Sequence, residues 1–205
     1  MYTYRAVGSR CAVCLDSLSL PIPTEQALTI LLEKGFKVTE VDMLRLAEGC
    51  IVRSQYRLDA KLSEAPQVVN CSGMTKWLYG RRGIWLPRLA IQQREYEGEF
   101  VFPEEVVAGD LVFASGLNDY YLYDPSQGVG HVGIATGDGR VIHAANQRDG
   151  VILQELEDFI GGGRNRGIKR YIPEDEEVLT LEIPSGEEIE SSEDIRWRIL
   201  ESLPW

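Results

Sequence analysis

The sequence predicts a segregated α+β domain, with helices in the N-terminal half and an antiparallel sheet after them. Three observations carry this. Apolar residues before residue 80 recur at helical spacing, as in Ala27, Leu28, Leu31 and Leu32. Beyond residue 100 the pattern becomes short apolar runs broken by glycine-rich turns. No strand there alternates with a helical segment as a parallel α/β sheet would require.

The elements follow in order. Residues 1–23 carry no sustained period and end in Pro21-Ile22-Pro23, which excludes helix, so they are expected to be irregular. Thr24 is the expected N-cap of a helix that stops at Gly35. Thr39 with Asp42 resembles a capping box, opening a second helix over Val41, Leu44, Leu46 and Ala47 toward Ile51. Residues 58–69 read as a loop. A short helix is expected from about Cys71 through Met74, Trp77 and Leu78 to Gly80. Strands are expected near 111–114, 131–136, 140–145 and 151–154. Gly161-Gly162-Gly163 marks a loop, and 167–172 a last strand ending at Pro173.

The chain has 205 residues, 44% hydrophobic and 26% charged, enough to bury a core. Its 21 Lys and Arg oppose 32 Asp and Glu, for a net charge of −11. That argues against binding nucleic acid or an anionic membrane through overall charge. The acidity is local: residues 174–205 hold eleven acids and two arginines, net −9, which leaves −2 for residues 1–173. The C-terminal stretch also carries Ile195, Trp197, Ile199, Leu200 and Leu203, so it is expected to dock on its own domain, with an unknown partner as the alternative.

No run of 18 apolar residues is present, so no membrane span is expected. Asp16 interrupts any apolar signal region, and a cytoplasmic location is expected, with export by another route left open. The four cysteines, Cys11, Cys14, Cys50 and Cys71, are too few for a disulfide scaffold. Cys11 and Cys14 form a C-x-x-C that no second pair or nearby His completes. Both are expected to be buried small hydrophobes, with a metal or redox role as the alternative.

Only two histidines exist, His131 and His143, in GHVGIATGDGRVIHAA, which reads as a hairpin turning at Gly137-Asp138-Gly139. A two-residue turn would pair Ile134 with His143. A three-residue turn pairs Ile134 with Ile142 and places His131, Ala135, Val141 and His143 on one face. The second register keeps the aliphatic set together and is preferred. It makes the histidines diagonal neighbours, about 7–8 Å apart at the backbone. Cys71 lies at the expected start of a helix, where backbone N–H groups and the dipole favour an anion and can lower a thiol from about 8.5 toward roughly 3.5–7.5. The same N–H groups could receive an oxyanion.

Several segments together resemble the NlpC/P60 family of papain-like cysteine peptidases, over roughly residues 46–173. Asn70-Cys71-Ser72-Gly73 is similar to the family's D-C-S-G, and Gly83-Ile84-Trp85-Leu86-Pro87-Arg88 to its g-i-x-L-P-R, with Gln93 as the glutamine that follows. Ala108–Phe113 resembles p-G-D-L-v-f, His131-Val132-Gly133-Ile134 resembles h-V-G-i, and Val141-Ile142-His143-Ala144 resembles f-I-H-A. Gly150-Val151 fits the g-V that follows. The resemblance implies a papain-like NlpC-type fold, with the Cys helix packed on an antiparallel sheet carrying both His. It implies Cys71 as nucleophile, His131 as general base, His143 as the residue orienting it, and Tyr56, Asn70 and Ser72 as oxyanion- or substrate-binding residues.

The implied organisation is an N-terminal extension with helix (1–45), a catalytic domain (46–173) and an acidic tail (174–205). The implied activity is hydrolysis of an amide bond in peptidoglycan-derived peptides, at a D-glutamyl–diamino-acid linkage, with a peptide or muropeptide as partner and no cofactor. An amidase or acyl transferase on another substrate and an inactive binding module are the alternatives. Asn70 stands where the family has Asp and so loses a charge that attracts an amine. Gln55-Tyr56 replaces proline-tyrosine, and a tyrosine-bearing insertion occupies 114–130. Zinc held by Cys71, His131 and His143 would lack an evident fourth ligand. The arginines of GGGRNRG are expected in a solvated loop.

Overall fold

The computed structural model describes residues 3–204. Along the chain the elements are β1 (Arg10–Val13), α1 (Thr24–Glu33), β2 (Lys37–Val38), α2 (Met43–Arg53), β3 (Gln55–Tyr56), β4 (Val68–Val69), α3 (Cys71–Arg81) and α4 (Ala90–Glu95). Then come β5 (Glu99–Phe100), β6 (Leu111–Ala114), β7 (His131–Ala135), β8 (Arg140–Asn146), β9 (Gly150–Glu155), α5 (Leu156–Ile160), β10 (Asn165–Arg170), β11 (Leu179–Glu182) and α6 (Ser192–Leu200). The chain divides into two compact units, one of residues 42–78 and 86–171, the other of residues 1–41, 79–85 and 172–205.

The larger unit is a six-stranded sheet of order β5-β10-β6-β7-β8-β9, antiparallel at every pairing. In this unit α2, α3 and α4 precede the six strands of the sheet, as the α+β reading expects, with the short α5 between β9 and β10. The hairpin β7–β8 pairs Ile134 with Ile142 and Ala135 with Val141, the three-residue-turn register. Gly137 and Gly139 flank Asp138 in that turn with φ of +83° and +85°, which side-chain-bearing residues rarely adopt. Ala135 and Val141, on the histidine face, pack with Val112, Ala114, Ile168 and Phe159 of α5 in one buried cluster. Asp110 is 2% exposed and pairs with Arg170 at 2.8 Å, also accepting from the Val107 N–H at 3.0 Å. The stretch 58–69 is largely loop, but its end is β4, which pairs in parallel with β3 and sets Tyr56 beside Val69.

The smaller unit corrects several expectations. Residues 1–23 are not irregular throughout, because β1 pairs with β11, Cys11 opposite Leu181. Its three strands run β1-β11-β2, so the strand in the acidic C-terminal stretch is the central one. Against it pack Leu18, Leu31, Phe36, Ile195 and Ile199. Tail and N-terminal extension therefore share one core. Cys11 lies within it and Cys14 is buried as well, both as free thiols, and burial with the nearby Asp194 charge pushes the Cys11 thiol up to about 12.

Helix starts also differ in detail. Pro23, not Thr24, is the N-cap residue of α1. Asp42 alone caps α2, accepting from the Arg45 N–H at 2.9 Å. Thr39 takes no part there, because its N–H donates to the Thr180 carbonyl at 2.9 Å. Among the described residues no helix is long and apolar enough to cross a membrane.

Candidate active site

Tyr56, Asn70, Cys71, Ser72 and His131 line one cleft of about 630 Å³ in the larger unit. His143 does not open onto it; it is 4% exposed and sits behind His131. Every site residue read from the sequence therefore lies in the cleft or directly behind its histidine.

Asn70 sets the start of α3. Its side-chain oxygen accepts from the Gly73 N–H at 2.8 Å, the N-cap geometry that satisfies an orphan helix donor. Its amide N–H donates to the Leu58 carbonyl at 2.7 Å. A Cβ on Gly73 would stand 2.7 Å from that side-chain oxygen, so glycine is needed for the close turn. Gln93, fully buried, holds the next turn: its amide N–H groups donate to the Ser72 and Pro87 carbonyls at 2.9 and 3.0 Å, and Thr75 donates to its oxygen at 2.8 Å. Cys71 is thus the first residue of a helix fixed on three sides.

The sulfur of Cys71 lies against the start of β7, 4.0 Å from the Gly130 carbonyl oxygen. Backbone N–H groups of Cys71, Ser72 and Val132 and the charge of Arg88 pull its pKa down. Burial outweighs them and pushes the thiol above its ordinary value. This corrects the lowered thiol expected from the helix start: the dipole is present, but the sulfur pays more for losing water than the dipole returns.

His131 Nε2 and His143 Nδ1 are 2.8 Å apart, with the rings edge-on at 89° and centroids 4.9 Å apart. Phe159 lies against both, 5.4 Å from His131 and 4.9 Å from His143. In this apolar setting burial lowers His131 to about 3, with His143 and Arg164 adding to it. Burial likewise lowers His143 to about 4, opposed by a hydrogen bond to Gln154 and assisted by Arg164. Both imidazoles are therefore neutral near pH 7. Gly133 makes their approach possible, since a Cβ there would stand 3.0 Å from His143 Cβ and run into Val141.

Tyr56 is half-buried, and burial and the neighbouring Cys71 raise its hydroxyl pKa. Arg88, also in the cleft, donates to Asn70 Oδ1 at 3.1 Å, Ser72 Oγ at 3.0 Å and the Ala60 carbonyl at 2.8 Å. The insertion forms one wall through Leu117, Asn118 and Tyr120. It is anchored where Tyr120 and Val129 exchange backbone hydrogen bonds at 3.1 and 2.9 Å.

Sequence reasoning gave no individual role to Arg88, Gly133 or Gln154. Arg88 carried a signal, a lone cation between Pro87 and Leu89. Gln154 carried one only after the next register is known, because β9 pairs Val141 with Gln154 and so brings it to the face of His143. Among the described residues no group of three or more His, Cys, Asp or Glu is placed to hold a metal ion.

A model of the NlpC/P60 family matches residues 53–162, a little over half of the chain. A gamma-DL-glutamyl hydrolase of Bacillus subtilis is 33% identical over 116 residues, covering 54% of this chain and 26% of its own length. The bifunctional muramidase/DL-endopeptidase CwlT of the same organism is 35% identical over 75 residues, 37% of this chain and 21% of its own. A probable endopeptidase of Corynebacterium glutamicum is 38% identical over 82 residues, 40% of this chain and 33% of its own. The matches thus span about a fifth to a third of these curated relatives. Among solved structures, an NlpC/P60 family protein from Bacillus cereus superposes with a TM-score of 0.53 at 25% identity, covering 67% of this chain and 42% of that one.

Proposed function

The chain belongs to the NlpC/P60 family, and from that premise we propose that it is a cysteine peptidase cutting an amide bond in peptidoglycan-derived peptides, at a D-glutamyl–diamino-acid linkage. One observation carries the reading. The Cys71 sulfur at a helix start lies against the strand that bears His131, whose ring is hydrogen-bonded to His143. The relatives named as a gamma-DL-glutamyl hydrolase and a DL-endopeptidase support the bond.

The proposed chemistry starts from a neutral thiol and a neutral imidazole. Substrate fills the cleft, His131 takes the Cys71 proton, and the sulfur attacks the carbonyl carbon. The tetrahedral oxyanion meets the backbone N–H of Cys71 and the Tyr56 hydroxyl, each such donor contributing up to about 3–4 kcal/mol. Collapse breaks the C–N bond, and the amine leaves with the proton from His131. A thioester remains. Water gives its proton to His131, attacks, and releases the acid while the thiol is restored. A permanent thiolate is not needed, which agrees with burial raising the thiol and lowering the imidazole.

Digestion of tripeptide and tetrapeptide muropeptides by wild type and Cys71→Ala tests the reading. Cleavage is expected from wild type alone; no product from wild type, or equal product from both, rules it out. A second reading, an amidase or acyl transferase on another substrate, is favoured by Asn70. Its oxygen and one amide N–H are already committed within the protein, and it offers no carboxylate to a substrate amine. Turnover of unrelated acyl substrates with no turnover of muropeptides would select it.

A further inference from the structure

Behind the histidine pair lies a third polar group. Gln154 Oε1 is 2.9 Å from His143 Nε2. Gln154 is half-buried on β9, diagonal across the ladder from His143, which pairs directly with Ile152. Three side chains thus form a file from the cleft into the sheet: His131, His143, Gln154.

An amide oxygen can only accept, so His143 Nε2 must carry a hydrogen. A neutral imidazole has one N–H, so His143 Nδ1 is then an acceptor. The group 2.8 Å away, His131 Nε2, must donate to it. That leaves His131 Nδ1 unprotonated. Nδ1 is the ring nitrogen nearer its own main chain, and the Cys71 sulfur hugs that main chain at Gly130 and Val132. Cys71 and His131 line the same cleft, so this is the lone pair left for the thiol. With the amide turned over, every donor reverses. Gln154 would donate to His143 Nε2, His143 Nδ1–H would donate to His131 Nε2, and the proton would sit on His131 Nδ1, where no base remains for the thiol.

We infer that Gln154 is a positioning residue that selects the tautomer of both histidines and so keeps the Nδ1 lone pair of His131 available to Cys71. The inference rests on Cys71 and His131 as nucleophile and base. Gln154 touches neither substrate nor the reacting atoms and acts through His143.

The surroundings make the choice matter. Phe159 from α5 offers an apolar ring to both imidazoles and no hydrogen bond. The titratable neighbour is His131 itself on β7, and the charge acting on both rings is the Arg164 guanidinium ahead of β10. None of these gives His143 Nε2 an acceptor.

The test uses the full chain and two readouts. With only two histidines in the sequence, all four ring nitrogens can be followed by nitrogen-15 NMR. Wild type at neutral pH is expected to show both rings as Nε2–H tautomers. Gln154→Leu is expected to mix the tautomers and to lower kcat on muropeptides by about 10- to 100-fold, by analogy with the loss when the hydrogen-bond partner behind a metal-bound histidine is removed, with KM little changed. Gln154→Glu keeps an acceptor, so it is expected to restore the tautomers and most of kcat, and to move the acidic limb of the pH profile upward as its carboxylate favours the imidazolium. Unchanged tautomers in Gln154→Leu, or kcat within about twofold of wild type with the profile unmoved, would overturn the inference. A wild type that cuts no muropeptide would defeat the functional reading alone, because the NMR comparison still decides the tautomer.

Discussion

Cys71 is where two opposing effects on one atom can be weighed. Helix-start N–H groups and Arg88 favour the thiolate, and burial favours the thiol and wins. The sequence displays the first effect, since a helix start can be read from Asn70 and the periodic run after it. It cannot display the second, because burial of the sulfur depends on β7, which lies about sixty residues away in the chain. The consequence is measurable. The rate of Cys71 alkylation should rise with pH about a midpoint above the roughly 8.5 of a free cysteine. Arg88→Met removes a positive charge that favours the thiolate, so its midpoint should lie higher still. A wild-type midpoint well below 8.5 would mean a resting thiolate and would contradict the burial argument.

The β7–β8 hairpin converts a sequence period into a reactive geometry. Its register followed from keeping Val132, Ile134 and Ile142 on one face, and the structure has that register. The same choice places His131 and His143 together, so this part of the candidate site is legible in the sequence. Spacing could not reveal the contact distance, which depends on a missing side chain between them. Gly133 lies directly across from His143 with a φ that any residue can adopt, so it is required for space and not for backbone freedom. Gly133→Ala should push Val141 and the His143 backbone aside. Overpacking of this kind costs about 1–3 kcal/mol, read as a lower denaturant midpoint. Activity should fall by more than the stability loss explains, because the ring contact at 2.8 Å is lost. A variant with wild-type stability and turnover would show that the strands separate without strain.

At the level of the whole chain, the strongest compositional signal pointed away from the structure it belongs to. Residues 174–205 carry a net charge of −9, yet Leu181, Ile195 and Ile199 among them are fully buried. Of these acids only Glu182 lies on β11 and only Glu193 and Asp194 on α6; most sit in the segments before, between and after those elements, so charge and core coexist. The docking expected from Ile195, Ile199 and Leu200 is present, but its partner strand, β1, was not foreseen. Cys11 meets Leu181 across 170 residues, and no local period reports such a pairing. Because β11 is central between β1 and β2, a chain ending at Pro173 would leave both flanking strands without a neighbour and uncover Val13, Leu31 and Phe36. The buried thiols make this testable. In the full chain a thiol reagent under native conditions should label Cys71, the one cysteine not fully buried, and leave Cys11 and Cys14 unmodified. In the shortened chain Cys11 and Cys14 should label quickly, as mapped by mass spectrometry, since loss of burial removes the cause that holds the Cys11 thiol near 12. Protection of Cys11 and Cys14 in the shortened chain would show that the N-terminal residues hold their fold without the central strand.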